Sequence, residues 1–130
     1  MSVLIVTILA MTALDAVWLG VVARTFYRQH LGALMAERVD WMAAGAFYLI
    51  YAAGLAFFAV APGVESGSPL TGAIRGAAFG LVAYATYDLT NQATLRGWPW
   101  IVTIVDLTWG AVLGAAVGAI ATLAVTRLGL

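Results

Sequence analysis

The sequence predicts an all-α, four-helix transmembrane bundle. Three observations lead there: an extreme composition, four apolar stretches of spanning length, and helix-boundary residues between them. Of 130 residues, 64% are hydrophobic and 9% are charged. A soluble domain averages roughly 45–50% apolar and ~25% charged residues. So few charges cannot cover a water-facing surface, which excludes an ordinary soluble globule and a disordered chain. Six arginines are matched by six carboxylates. No basic face remains, so nucleic acid is not an expected partner. The chain has no cysteine, which removes disulfides, thiolate metal sites and thiol nucleophiles. It also has no lysine, which removes Schiff-base chemistry. Its size suits one integral membrane domain over residues 1–130.

A spanning helix needs about 20 mostly apolar residues. The first such stretch runs from about Val3 to Ala23. It is not a cleaved signal peptide, because it lacks a positive leading region, is too long, and is interrupted by Asp15. The connection from Arg24 to Asp40 has two readings. One is a short interfacial helix with Phe26, Leu31, Leu34 and Met35 on one side and Arg28 and Arg38 among its polar residues. The other is a polar extension of the first helix followed by a turn. The second span covers about Trp41 to Ala61 and carries no charge, with Ala61-Pro62-Gly63 as its stop. Ser68-Pro69 reads as an N-cap followed by a first-turn proline, and opens the third span, from about Leu70 to Asn91. Gly97-Trp98-Pro99 separates it from the fourth, which covers about Pro99 to Val125. All three prolines are thus expected at helix boundaries.

Four spans place both termini on one side of the membrane, here called side A. Side B receives Arg24, Arg28, Arg38 and Arg96, and side A receives Arg127 and Arg75. Arginine excess marks the cytoplasmic side, so B is expected to face the cytoplasm and both termini the outside. In a bacterium this is a multi-pass inner-membrane protein with periplasmic termini. Trp41, Trp98 and Trp100 fall at the B interface, where indole rings prefer to lie.

Two glycine ridges punctuate the last two spans. Gly72, Gly76 and Gly80 are four residues apart on the third, and Gly110, Gly114 and Gly118 on the fourth. Between helices in lipid there is little hydrophobic force, so close backbone approach and dispersion drive association. The preferred reading packs the third helix on the fourth within one chain. The alternative is a homodimer seam.

The same ridges turn polar toward side B. The third continues at four-residue steps through Tyr84 and Asp88, and the fourth begins at Asp106. Asp106 lies about seven residues in from the B end, ~10 Å at 1.5 Å per residue. Asp15 and Tyr48 fall at comparable depth on the first two helices, with Tyr51 one turn deeper. Tyr87, Thr90, Asn91 and Thr103 lie nearby, and Trp18 and Trp109 one turn beyond the deeper aspartates. Charges at membrane depth cost several kcal/mol unless paired, hydrated or neutralised, and so mark functional candidates. Asp15, Tyr48, Tyr84, Tyr87, Asp88, Asn91 and Asp106 therefore form a candidate ligand or proton site. A purely structural set of hydrogen bonds and a wet interfacial cluster are the alternatives. Asp15 and Trp18 on the first helix echo Asp106 and Trp109 on the fourth, each pair at i, i+3 on one helix face.

No dinucleotide, nucleotide, zinc-protease or nucleophile-elbow motif is present. The single histidine, His30, cannot build a haem, diiron or zinc site. Hard cations need more oxygen ligands than this layer offers. No metal and no cofactor are expected.

The block Tyr84-Ala-Thr-Tyr-Asp-Leu-Thr-Asn-Gln-Ala-Thr94, Gly97-Trp98-Pro99 and Val105-Asp106-Leu-Thr-Trp109-Gly110 resembles a bacterial family of small membrane proteins, domain of unknown function 2177. Asp15-Ala-Val-Trp18-Leu-Gly20, Phe47-Tyr48-Leu-Ile-Tyr51 and Phe58-Ala-Val-Ala-Pro62 fit the same pattern. The resemblance implies a four-span inner-membrane protein and supplies no activity. Members of the family are often encoded near fatty-acid-modifying enzymes of the cyclopropane-synthase type, which implies a link to lipid chemistry. The leading expectation is a non-catalytic accessory protein that binds membrane lipid or a membrane protein partner. A small proton- or cation-coupled permease and a lipid-modifying enzyme with a carboxylate base are the alternatives.

Overall fold

The computed structural model describes residues 1–130, and they form four helices without a strand. Helix α1 covers Ser2–Leu34. It is α-helical over Ser2–Val17, loosens into a π-helical turn at Trp18–Val22, resumes over Ala23–Leu31, and ends in a tight 3-10 turn at Gly32–Leu34. Of the two readings of the first connection, the helical extension is the one found. The first helix does not stop near Ala23, because nothing in Arg24–Leu31 breaks it.

Helix α2 covers Trp41–Glu65. Asp40 caps it, accepting from the amides of Met42 at 3.1 Å and Ala43 at 3.0 Å. The expected stop at Ala61-Pro62-Gly63 is not found: the helix runs through Pro62 to Glu65. A π-helical turn at Ala56–Val60 precedes the proline, shifting the carbonyl pattern that the ring would otherwise strike. The carbonyl of Phe58, four residues before Pro62, instead accepts from Arg75 Nη1 at 3.5 Å.

Helix α3 covers Pro69–Thr94 and helix α4 covers Trp100–Leu128. Ser68 caps α3, its Oγ accepting from the Thr71 amide at 3.2 Å. The α3–α4 turn needs Gly97, whose φ of 72° lies in the left-handed region. That turn is tied by three hydrogen bonds. Gln92 Nε2 donates to the Trp98 carbonyl at 2.9 Å, Trp98 Nε1 donates to Thr103 Oγ1 at 3.1 Å, and Thr103 donates to Gln92 Oε1 at 3.0 Å. Trp98 is consequently buried, at 6% exposure, and is no interfacial anchor. Trp41 and Trp100 are exposed, as interfacial rings should be. Thr103 belongs to this turn rather than to the polar layer.

Three helices, α1, α2 and α4, are long and apolar enough to cross a membrane. Four were expected. Helix α3 has the length, 26 residues, or about 39 Å. Its hydropathy is lowered by the glycines that face α4, by Arg75, and by the polar run from Tyr84 to Thr94. Several threonines settle their hydroxyls on the helix itself, Thr86 on the Val82 carbonyl at 2.7 Å and Thr108 on that of Ile104 at 2.8 Å, so they leave no free donor toward lipid.

The packing centre is the antiparallel α3–α4 pair. Gly72 meets Gly118, Gly76 meets Gly114, and Gly80 meets Gly110. A Cβ on Gly76 would fall 2.7 Å from the Gly114 carbonyl carbon, and the reverse distance is the same. The two backbones touch, which no larger residue permits. Helix α2 joins at the A end, where a Cβ on Gly63 would stand 3.1 Å from the Gly72 Cα. Met11 of α1, Tyr51, Leu55 and Ala59 of α2, and Leu113 and Val117 of α4 fill the core between the helices.

Candidate functional site

One further four-residue step along the seam, toward B, brings Tyr84 opposite Asp106. A Cβ on Gly110 would lie 2.6 Å from the Tyr84 ring and 2.7 Å from the Gly80 carbonyl oxygen. The last glycine pair therefore seats the tyrosine that faces the aspartate. Asp88, one turn beyond Tyr84, is fully buried, and Asp106 is 4% exposed. Both Asp88 carboxyl oxygens are buried without a hydrogen-bond partner.

Helix α1 brings the rest. Asp15 is buried at 9% exposure and accepts the Tyr48 hydroxyl of α2. Asp106 accepts the hydroxyl of Tyr27, which also receives Trp18 Nε1 at 3.4 Å. The Trp18 and Trp109 rings stack at 4.4 Å, 7° from parallel. The echoed Asp–Trp pairs of α1 and α4 thus meet through their indoles, and each aspartate takes one tyrosine hydroxyl. The π-helical turn that begins at Trp18 separates this contact from the Ala23–Leu31 segment that carries Tyr27.

Between these elements lies a cavity of about 340 Å³, lined by Asp15, Trp18, Tyr27, Tyr84, Asp106 and Trp109, with Leu31 and Met35 also on its wall. A second cavity, of about 380 Å³, lies beyond Tyr84 and Asp106 and is lined by Phe47, Ala83 and Tyr87 as well. Tyr84, Tyr87 and Asp106 line both spaces. Volumes near 300–1,000 Å³ are typical of small-molecule sites. No group of three or more His, Cys, Asp or Glu side chains is placed to hold a metal ion.

Of the candidate residues, Asp15, Tyr84 and Asp106 share the first cavity, and Asp88, one turn beyond Tyr84, is not on its wall. Tyr48 stands behind Asp15 as its donor. Tyr87 is 57% exposed and sits at the rim of both cavities. Asn91 lines a third space near the α3–α4 turn with Leu34, Leu95 and Trp98, which shares Leu31, Met35 and Tyr87 with the first cavity. Tyr51 is buried over the seam: its hydroxyl has no partner, and a Cβ on Gly80 would come within 3.2 Å of it. Tyr27 is absent from the sequence-derived set, since its place in the first connection carries no sign of contact with α4.

The family model described as "Predicted membrane protein (DUF2177)" matches residues 1–123. The chain belongs to this family. Nearly the whole DUF2177 match lies on the four helices, and it includes every residue of the cavity between α1 and α4. No curated protein and no solved structure matches this DUF2177 chain.

Proposed function

We propose that this DUF2177 protein is a non-catalytic accessory protein of the bacterial inner membrane, and that it binds a lipid in the α1–α4 cavity. The observation that carries this reading is the cavity's make-up: an aromatic and aliphatic wall around a carboxylate-tyrosine floor, on a bundle whose outer surface is apolar. A lipid presents the matching chemistry, a polar head with an apolar tail along the helices. The reading has four crossings, with α3 shielded by its seam to α4, side B in the cytoplasm and both termini in the periplasm. The proposed role for the bound lipid is in acyl-chain modification.

Native mass spectrometry of protein extracted from its own membranes tests the reading. A 1:1 lipid adduct is expected, weakened by Leu31→Trp, which fills the cavity wall. A lipid-free protein refutes it. The lipid profile of a deletion strain tests the wider role: a profile identical to wild type removes the link to acyl-chain modification. Reporter fusions at both ends test the orientation, and periplasmic activity is expected at each.

A further inference from the structure

The site is acidic without a counter-charge. Asp15, Asp88 and Asp106 are all buried. The polar partners of Asp15 and Asp106 are tyrosine hydroxyls, and Asp88 has no donor at all. None of the six arginines supplies one; Arg75, the one arginine on α3, turns to the Phe58 carbonyl. A carboxylate offers about four acceptor positions, and one hydroxyl satisfies only one of them. Much acceptor capacity therefore remains at the cavity floor. Burying such groups without compensation is costly, and a fold with no functional demand would place amides or apolar side chains there.

We infer that the group bound in this cavity is a cationic ammonium, held between Asp15 and Asp106. The inference rests on the lipid-binding reading and names the headgroup chemistry. The walls agree with it, because Trp18, Tyr27, Tyr84 and Trp109 present aromatic rings, and aromatic faces attract ammonium groups through their quadrupole. An anionic headgroup finds no guanidinium or ammonium on the cavity wall. A divalent metal finds no three-ligand cluster and would require six or more oxygens if it were calcium. At about 340 Å³ the space exceeds a bare ion and suits a substituted ammonium. The ammonium has two sources, the head of an aminolipid or a free small amine, and the aminolipid fits the open apolar wall.

The test uses the full chain in nanodiscs, with retention read by native mass spectrometry. Four lipids of one acyl composition are compared, with ethanolamine, choline, glycerol-phosphate and bare diacylglycerol heads. The two ammonium lipids should be retained about tenfold over the other two. Asp106→Asn should abolish that preference. Asp15→Asn, which keeps an acceptor for Tyr48, is the second variant should the first fail to fold. Equal retention of all four lipids overturns the ammonium assignment and leaves lipid binding standing. A second arm adds tetramethylammonium chloride to lipid-free protein in detergent, against sodium chloride at equal ionic strength. Binding of that ion with no lipid retained sinks the lipid reading and moves the source to a free amine. No binding in either arm overturns both.

Discussion

Gly114→Ala measures how the bundle is held together. The new Cβ would fall 2.7 Å from the Gly76 carbonyl carbon and 3.4 Å from the Ala77 amide, closer still to the Gly76 oxygen. Carbon atoms reach their best separation near 3.5 Å, so α3 and α4 must part by at least about 0.8 Å, and by more to clear the Gly76 oxygen. The obstacle is backbone, which cannot swing aside as a side chain does. A gap of 0.5–1 Å forfeits roughly a quarter to a half of each dispersion contact, and the loss extends to the glycine pairs on either side. Overpacking costs about 1–3 kcal/mol, and a backbone clash in mid-seam belongs at the upper end. Alanine returns about 1 kcal/mol of helix propensity, leaving a net loss of about 2 kcal/mol.

Gly45→Ala is the matched control, because a Cβ there meets nothing within 4 Å. It should be neutral or stabilising by up to about 1 kcal/mol. The two variants should thus differ by about 3 kcal/mol, over a hundredfold in the folding equilibrium. Reversible unfolding in mixed micelles, followed by circular dichroism or steric trapping, resolves that difference. Equal stabilities for the two variants would refute the backbone-contact seam. Gly76→Leu should go further and prevent the monomer from folding; recovery of folded Gly76→Leu monomers would show that the ridges do not hold one chain together.

Asp88→Asn should stabilise the bundle, on the order of 1–3 kcal/mol, because it removes an undonated buried carboxylate; a lower unfolding midpoint would mean that the charge has a partner. Thr103→Val strips the acceptor from buried Trp98 Nε1 and the donor from Gln92, which should cost about 1–3 kcal/mol in the same unfolding assay, and an unchanged midpoint would count against the turn network. Tyr27→Phe releases the Ala23–Leu31 segment from Asp106, so hydrogen exchange there should quicken while α3 and α4 stay protected; unchanged exchange would place the anchor elsewhere.

The helices were legible because lipid leaves few choices. Composition, Ser68-Pro69 and the two glycine ridges each report a local constraint that the fold must meet. Pro62 misled because the cost of a proline inside a helix depends on its neighbours, and a π-helical turn at Ala56–Val60 with Arg75 on the Phe58 carbonyl accommodates it. Trp98 misled for a related reason: its position matches an interface, and only Thr103 and Gln92 draw it inward. At the site, Asp15, Tyr84, Asp88 and Asp106 could be found because three of them extend ridges already visible as glycine, or sit in a membrane span where charge is conspicuous. Tyr27 could not. Its hydroxyl reaches Asp106 across 79 positions of sequence, and no periodicity encodes so long a reach.

Seam and site are one device. A single glycine contact fixes a distance between helices and leaves them free to pivot and slide. Three contacts at four-residue spacing fix the register as well, because sliding α3 by one turn would replace each glycine pair's partner and drive Tyr84 onto Gly110, where a Cβ already has no room. The position of Tyr84 over Asp106 is therefore set by the glycine pairs, the last of which seats the Tyr84 ring. The three pairs should differ in their effect on ligand retention at equal loss of stability. Gly118 lies twelve residues from Asp106, about 18 Å along α4. Gly118→Ala, whose Cβ would fall 2.6 Å from the Gly72 carbonyl carbon, should open the A end and spare the cavity. Gly110→Ala strikes the Tyr84 ring itself and should lose ligand while the protein remains folded. If both variants retain ligand equally when compared at matched folded fraction, the seam holds the bundle without positioning the site.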